Sequence, residues 1–288
     1  MRDIKDTTSL SAIVGRLVSY AVLVGFTVLA IYPLLWLLMN SFKTTQEFQL
    51  NKLRFPGTVE GYEWVTINYT DAWIRGKFPN LILNSVIYTG VTTVMVVLLS
   101  FMGGFAFAKI PNKATRIVHG SFVIGLLLTL QSIMVPLFLL VNWADLYNTR
   151  LGVLIPYIGI GMPMGIYLGT EYIKSIPDAL VESARIDGAS YFTIFRAIIL
   201  PMARPVGVTL AILTVTGTWN EFMLINILTS SDVIKSLPVG IQKFAGSLSS
   251  DFGKQFAALV IGIIPMLTFY ILFRKEITKG VAAGAVKG

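Results

Sequence analysis

The chain of 288 residues is 55% hydrophobic and 13% charged, with a mean hydropathy of +0.73, whereas soluble domains carry roughly 25% charged residues; an ordinary water-soluble domain is excluded. It has no cysteine and a single histidine, His119, which removes disulfides, thiolate nucleophiles and most cysteine or histidine metal sites. A net charge of +8 in so apolar a chain belongs to basic loops facing anionic lipid rather than to a nucleic-acid surface.

In chain order, residues 1 to 16 are basic, with Arg2, Lys5 and Arg16, and Leu17 to Met39 then runs 23 residues without a charge. A bilayer core takes about 20 residues, and a signal peptide has an apolar stretch of only about 7 to 15. A retained first span over 17–39 is predicted. Asn40 to Asn80 is polar and aromatic, an outside loop expected to fold against the membrane surface. Leu81 to Ala108 is the second span, closed by the basic turn Lys109, Lys113 and Arg116. The third covers 117–141 and contains Gln131 and Pro136; the fourth covers 151–170 and holds five glycines and two prolines. Small residues let helices approach closely in lipid, which places the fourth span inside the bundle. A fifth span over 205–228 is interrupted by Trp219-Asn220-Glu221, and a sixth over 255–273 is bent or broken near Pro265. The predicted fold is an all-α polytopic membrane protein, a single transmembrane domain of six spans. On this map the inside segments carry 14 of the 23 Lys and Arg, so both termini are assigned to the cytoplasm.

Ser175 to Pro201 is a charged island between apolar runs. Pro177 suits a first helical position, with Asp178 and Glu182 near the positive end. Leu180, Val181 and Ala184 share a face, and Gly188 supplies a left-handed stop. Ser190 is an N-cap for a second helix placing Phe192, Phe195, Ile198 and Ile199 on one side before Leu200-Pro201. Too short and charged to span a bilayer, this strip must lie on the membrane or dock into a partner. The charge count puts it in the cytoplasm.

Chemistry is sparse. No G-x4-G-K-[ST] loop is present, so nucleotide phosphates have no cradle in this chain. Hydrolase motifs are missing too, and an enzyme is not expected. Glu221 is the one formal charge within a predicted span. Such a group faces a cavity or a partner, and two readings stay open, assembly or lining of a substrate path. Trp219 is able to stack on a sugar ring with Asn220 and Glu221 bonding hydroxyls, or to anchor at the interface. Gln131, Asn84 and Asn142 are also polar in or near spans, and interhelical hydrogen bonds account for each at least as well as a place on the path. No metal site is expected.

Glu182-Ser183-Ala184, then Gly188, then nine residues, then Ile198, Leu200 and Pro201 resemble the EAA signature, E-A-A-x3-G-x9-I-x-L-P, of permease subunits of binding-protein-dependent ABC importers; only Ser183 departs. Asn84-Ser85, the segment 217–222, Ser236-Leu237-Pro238-Val239-Gly240 and the tail from Gly280 to Gly288 resemble the maltose-type carbohydrate branch. The resemblance implies that 175–201 is a coupling helix docking into an ATPase subunit, with Leu180, Glu182, Ser183, Ala184, Asp187, Gly188, Phe192, Ile198, Leu200 and Pro201 as coupling residues. It also implies a second homologous permease, two ATPase subunits that bind ATP and Mg, an external solute-binding protein, a carbohydrate substrate and a place in the bacterial or archaeal cytoplasmic membrane. The rivals are an ion-coupled transporter or channel acting alone through Glu221, and an ABC permease for a non-sugar solute.

Overall fold

The computed structural model describes residues 10–110, 112–243 and 251–285. Arg2, Lys5, residues 244–250 between the fifth and sixth predicted spans, and the last tail residues (286–288) lie outside them. All regular structure among the described residues is helical: α1 Leu10–Asn40, α2 Thr45–Leu50, α3 Ile67–Arg75, α4 Phe78–Lys109, α5 Lys113–Gly125, α6 Leu130–Trp143, α7 Arg150–Lys174, α8 Asp178–Ile186, α9 Tyr191–Met202, α10 Arg204–Asn220, α11 Met223–Leu228, α12 Leu237–Lys243 and α13 Phe252–Ala285. Among the described residues four helices are long and apolar enough to cross a membrane, within α1, α4, α7 and α13, and the bent pairs α5/α6 and α9/α10 raise the number to six if each is one span.

The chain divides into two units. Residues 1–76 with 241–263 make the first. Here the segment after α1 folds by burying its polar groups against one another. Asn68 donates to the carbonyls of Ser41 and Lys43 at 2.9 and 2.8 Å, the Lys43 ammonium donates to the Asn51 carbonyl at 2.8 Å, and Glu47 accepts from the Gly57 amide at 2.7 Å. Burial pushes the Lys43 ammonium below the usual lysine value, opposed by the charge of Glu47. Trp36, Phe48, Phe252 and Phe256 form an aromatic cluster beneath.

The second unit, residues 77–240 and 264–288, is centred on α4 against α7. Gly161, Gly165 and Gly169 recur every fourth residue on α7 and face Val96, Ser100 and Phe101 of α4. A Cβ on Gly165 would run into the Ser100 hydroxyl, and one on Gly104 would stand 2.9 Å from the Gly169 carbonyl carbon. Only small residues permit this approach, and without it α7 would lose the van der Waals contact that holds helices together in lipid. Three of the five glycines of the fourth predicted span therefore serve packing.

Two predicted spans differ in the structure. The third, 117–141, is two helices bent by 113°. After Gly125 the chain tightens into successive three-residue turns (Leu126 N–H to Val123, Leu127 to Ile124, Leu128 to Gly125), and Thr129, extended at ψ 148°, restarts α6 with its hydroxyl 2.8 Å from that of Ser132. Pro136 lies within α6, away from the break. The sixth runs through Pro265 without interruption of the helix. The interruption predicted in the fifth is present: α10 ends at Asn220 and α11 begins at Met223.

Candidate functional site

The strip 175–201 is shaped by local chemistry. Pro177 stands just before the helix, extended at ψ 132°, and α8 starts at Asp178, one residue later than expected. At the other end Gly188 has φ +81°, its N–H bonds the Arg185 carbonyl at 3.1 Å, and the Ala189 N–H bonds the Ala184 carbonyl at 2.9 Å. This pair of bonds is the left-handed glycine stop in its Schellman form, and Ala184 and Ala189 both pack against the apolar cluster beneath. Ser183, where alanine was expected, satisfies its hydroxyl on the Ala179 carbonyl at 2.6 Å. Arg185 lies over the Tyr191 ring at 4.6 Å. Ser190 caps α9 by accepting the Thr193 N–H at 3.1 Å.

One side of the strip is buried. Val181, Ile194, Phe195 and Ile199 pack with Phe101 and Phe105 of α4, with Ile173 of α7 and with Ile176 and Ala203. Leu200 and Ile198 are partly buried at its edge. Leu180, Glu182, Ser183, Asp187, Gly188, Phe192 and Pro201 are exposed. So is Ile186, at 86%, with Phe192 at 70%. The helical pattern assigns Phe192 to the buried side with Phe195; the structure turns it outward, since the inner side is centred on Ile194, Phe195, Ile198 and Ile199, which recur at i, i+1, i+4 and i+5, and Phe192 lies beyond its edge.

A further residue ties the strip to the transmembrane helices. Lys109, at the last position of α4, has a side chain only 3% exposed; its ammonium donates to the Ile176 carbonyl at 2.6 Å and to the Asp178 carboxylate. Sequence reading gave Lys109 only a topological role, because its partners lie 67 and 69 residues away. In Lys109→Met the stem still packs, but the Ile176 carbonyl loses its donor, a cost of about 1 to 3 kcal/mol. The expected result is a thermal midpoint in detergent below that of the unsubstituted protein.

The break between α10 and α11 is the second candidate. Glu221 leaves the helix at φ −68°, ψ 130°. Its carboxylate accepts the Leu224 N–H at 2.7 Å, the Ile225 N–H at 3.2 Å and the Tyr157 hydroxyl of α7 at 2.6 Å. Glu221 and Tyr157 also border a cavity of about 280 Å³, with Met164, Leu213, Thr214 and Thr218. Trp219 is buried and does not line this cavity; Asn220 is exposed and bonds the Thr216 carbonyl of its own helix at 2.9 Å; Gln131 is exposed at the start of α6. Tyr157 carried no signal in the sequence.

Asn84 does not line the cavity; it bonds the first residue of α7 and the segment after α11. Its amide donates to the carbonyls of Val233 and Lys235 at 2.7 and 3.0 Å and accepts from Arg150 at 3.1 Å, while Ser85 accepts the Leu237 N–H at 2.9 Å. Two separate family-like segments, 84–85 and 236–240, are thus partners. Gly240 belongs to the same contact, since a Cβ there would collide with Leu81.

Residues 100–275 match the family of binding-protein-dependent transport system inner membrane components. The chain belongs to this family. Among relatives, this inner membrane component is 33% identical over 268 residues to a putative ABC transporter permease of Caldicellulosiruptor sp., covering 91% of this chain and 94% of the relative. It is 31% identical over 272 residues to a diacetylchitobiose uptake system permease of Streptomyces coelicolor, covering 94% and 88%. It superposes with a TM-score of 0.80, at 22% identity and covering 93% of this chain and 98% of the other, on a chain of a bacterial ABC transporter involved in importing the acidic polysaccharide alginate. The fold is that of an ABC permease, and the strip and the broken helix both lie inside the family match.

Proposed function

We propose that this protein is the permease subunit of an ATP-driven importer that takes a sugar or oligosaccharide from an external solute-binding protein and passes it across the cytoplasmic membrane by alternating access. Relatives named for sugar uptake support the substrate class. Six spans, α1, α4, the bent pair α5/α6, α7, α10 with α11, and α13, put both termini and the strip 175–201 in the cytoplasm. There the strip docks into an ATPase subunit, which binds ATP and Mg. A second homologous permease and a second ATPase complete the assembly.

The observation that carries the reading is the two-sided strip. Its inner side is embedded among the ends of α4 and α7, and its outer side offers Glu182, Ile186, Asp187 and Phe192. A partner pulling on the outer side moves both helices, because the interface beneath is close-packed. Glu221, satisfied by three donors beside a cavity, holds the broken span and borders the path of the substrate; Trp219, Asn220 and Gln131 flank it. The test is sugar uptake into proteoliposomes holding the two permeases, the ATPase and the binding protein. Uptake is expected only with ATP and all components; uptake that persists without the ATPase overturns the proposal.

A further inference from the structure

Helix α3 is amphipathic in the reverse sense to a helix on a water-exposed loop. Three of its polar residues, Asn68, Tyr69 and Asp71, point inward, while Thr70 and Arg75 are exposed. Asn68 is buried on the Ser41 and Lys43 carbonyls, the Tyr69 hydroxyl lies 2.6 Å from that of Ser41, and Asp71 pairs with Lys254 at 3.1 Å. Its outward residues are Ile67, Trp73 and Ile74, exposed by 57, 47 and 68%. Positions 67, 70, 73 and 74 form one stripe at helical spacing. A helix that buries its polar atoms and displays its apolar ones is matched to an apolar neighbour.

The attachments of α3 identify that neighbour. Its inner face bonds the backbone just beyond α1, and Asp71 reaches Lys254 at the start of α13. The contact is tight: a Cβ on Gly253 would fall 2.6 Å from the Asn68 amide nitrogen. The apolar stretches Val14–Asn40 and Phe252–Glu276 of these two helices have 27 and 25 residues. At 1.5 Å per residue they run about 40 Å, through a hydrocarbon core of about 30 Å and into the headgroups. α3 is therefore fastened where two membrane helices meet the bilayer surface. Trp64, 60% exposed, and Arg75, whose side chain is 77% exposed, border the stripe, an aromatic and a cation suited to that depth.

We propose that Ile67, Trp73 and Ile74 enter the boundary between headgroups and acyl chains, with Arg75 on lipid phosphates, so that α3 anchors the ends of α1 and α13 to the membrane surface. That the leaflet is the outer one rests on the topology proposed above. The absence of native cysteine makes the test clean. Ile67→Cys, Ile74→Cys and, as a control in the same exposed loop, Glu60→Cys are each labelled with an environment-sensitive fluorophore. The assembled transporter is then placed in vesicles of phosphatidylethanolamine and phosphatidylglycerol. At 67 and 74 a blue-shifted emission quenched by lipid-borne doxyl groups and not by iodide is expected, with the reverse at 60. The proposal is overturned if 67 and 74 respond to iodide as 60 does, or are shielded from both quenchers because a protein covers them, or lose iodide quenching only when the binding protein is added. The leaflet is read separately with an impermeant thiol reagent on intact cells. Reaction of Glu60→Cys only after permeabilisation would overturn the topology while the lipid contact stands.

Discussion

Glu221→Ala is expected to be the most damaging single substitution in the transmembrane region. It leaves the amides of Leu224 and Ile225, both in fully buried residues, and the hydroxyl of buried Tyr157 without their acceptor. At about 1 to 3 kcal/mol for each stranded donor, the loss reaches several kcal/mol. The carboxylate also sits at the N-terminal end of α11, where negative charge is favoured by the helix dipole. Glu221→Gln keeps one acceptor oxygen, and Tyr157→Phe removes one donor only. The expected order of damage is Glu221→Ala, then Glu221→Gln, then Tyr157→Phe, read as thermal midpoints in detergent. Equal midpoints for the three would show that the carboxylate does not pin the break.

Gly188→Asp has the second large effect, at a different level. No atom lies within 4 Å of where its Cβ would stand, so there is no clash. The cost is chemical more than conformational, since aspartate tolerates the left-handed region better than most side chains while a second carboxylate arrives beside Asp187 on the outer side of the strip. The turn is exposed, so membrane insertion and the core beneath are expected to survive. Association with the ATPase is expected to be lost, measured by co-purification in mild detergent. Gly188→Asn, which tolerates the left-handed region and adds no charge, should retain more of it.

The strip was legible in the sequence because its signals are local: Ser190 finds its amide three residues on, and Gly188 needs only its own φ. The fifth-span interruption was legible for the same reason, a charge between apolar runs. What was not legible depends on distance or on depth. Lys109 to Ile176 and Asn84 to Val233 join positions whose separations no periodicity records. The turn at Leu126–Leu128 is as apolar as the helices on either side, so hydropathy did not mark it. Lys43 and Glu47 looked like loop charges, yet both are buried, because the fold supplies a carbonyl to one and an amide to the other.

The claim at the centre of this account is that the outer side of the strip is the surface an ATPase grips. Its most direct test is cross-linking from single cysteines placed at Ile186, at Phe192 and, as a control, at Trp143, which is 84% exposed and outside the cell in the proposed topology. The account predicts cross-links to the ATPase from 186 and 192 and none from 143; cross-links from 143 alone, or from none of the three in a transporter active for uptake, would contradict it.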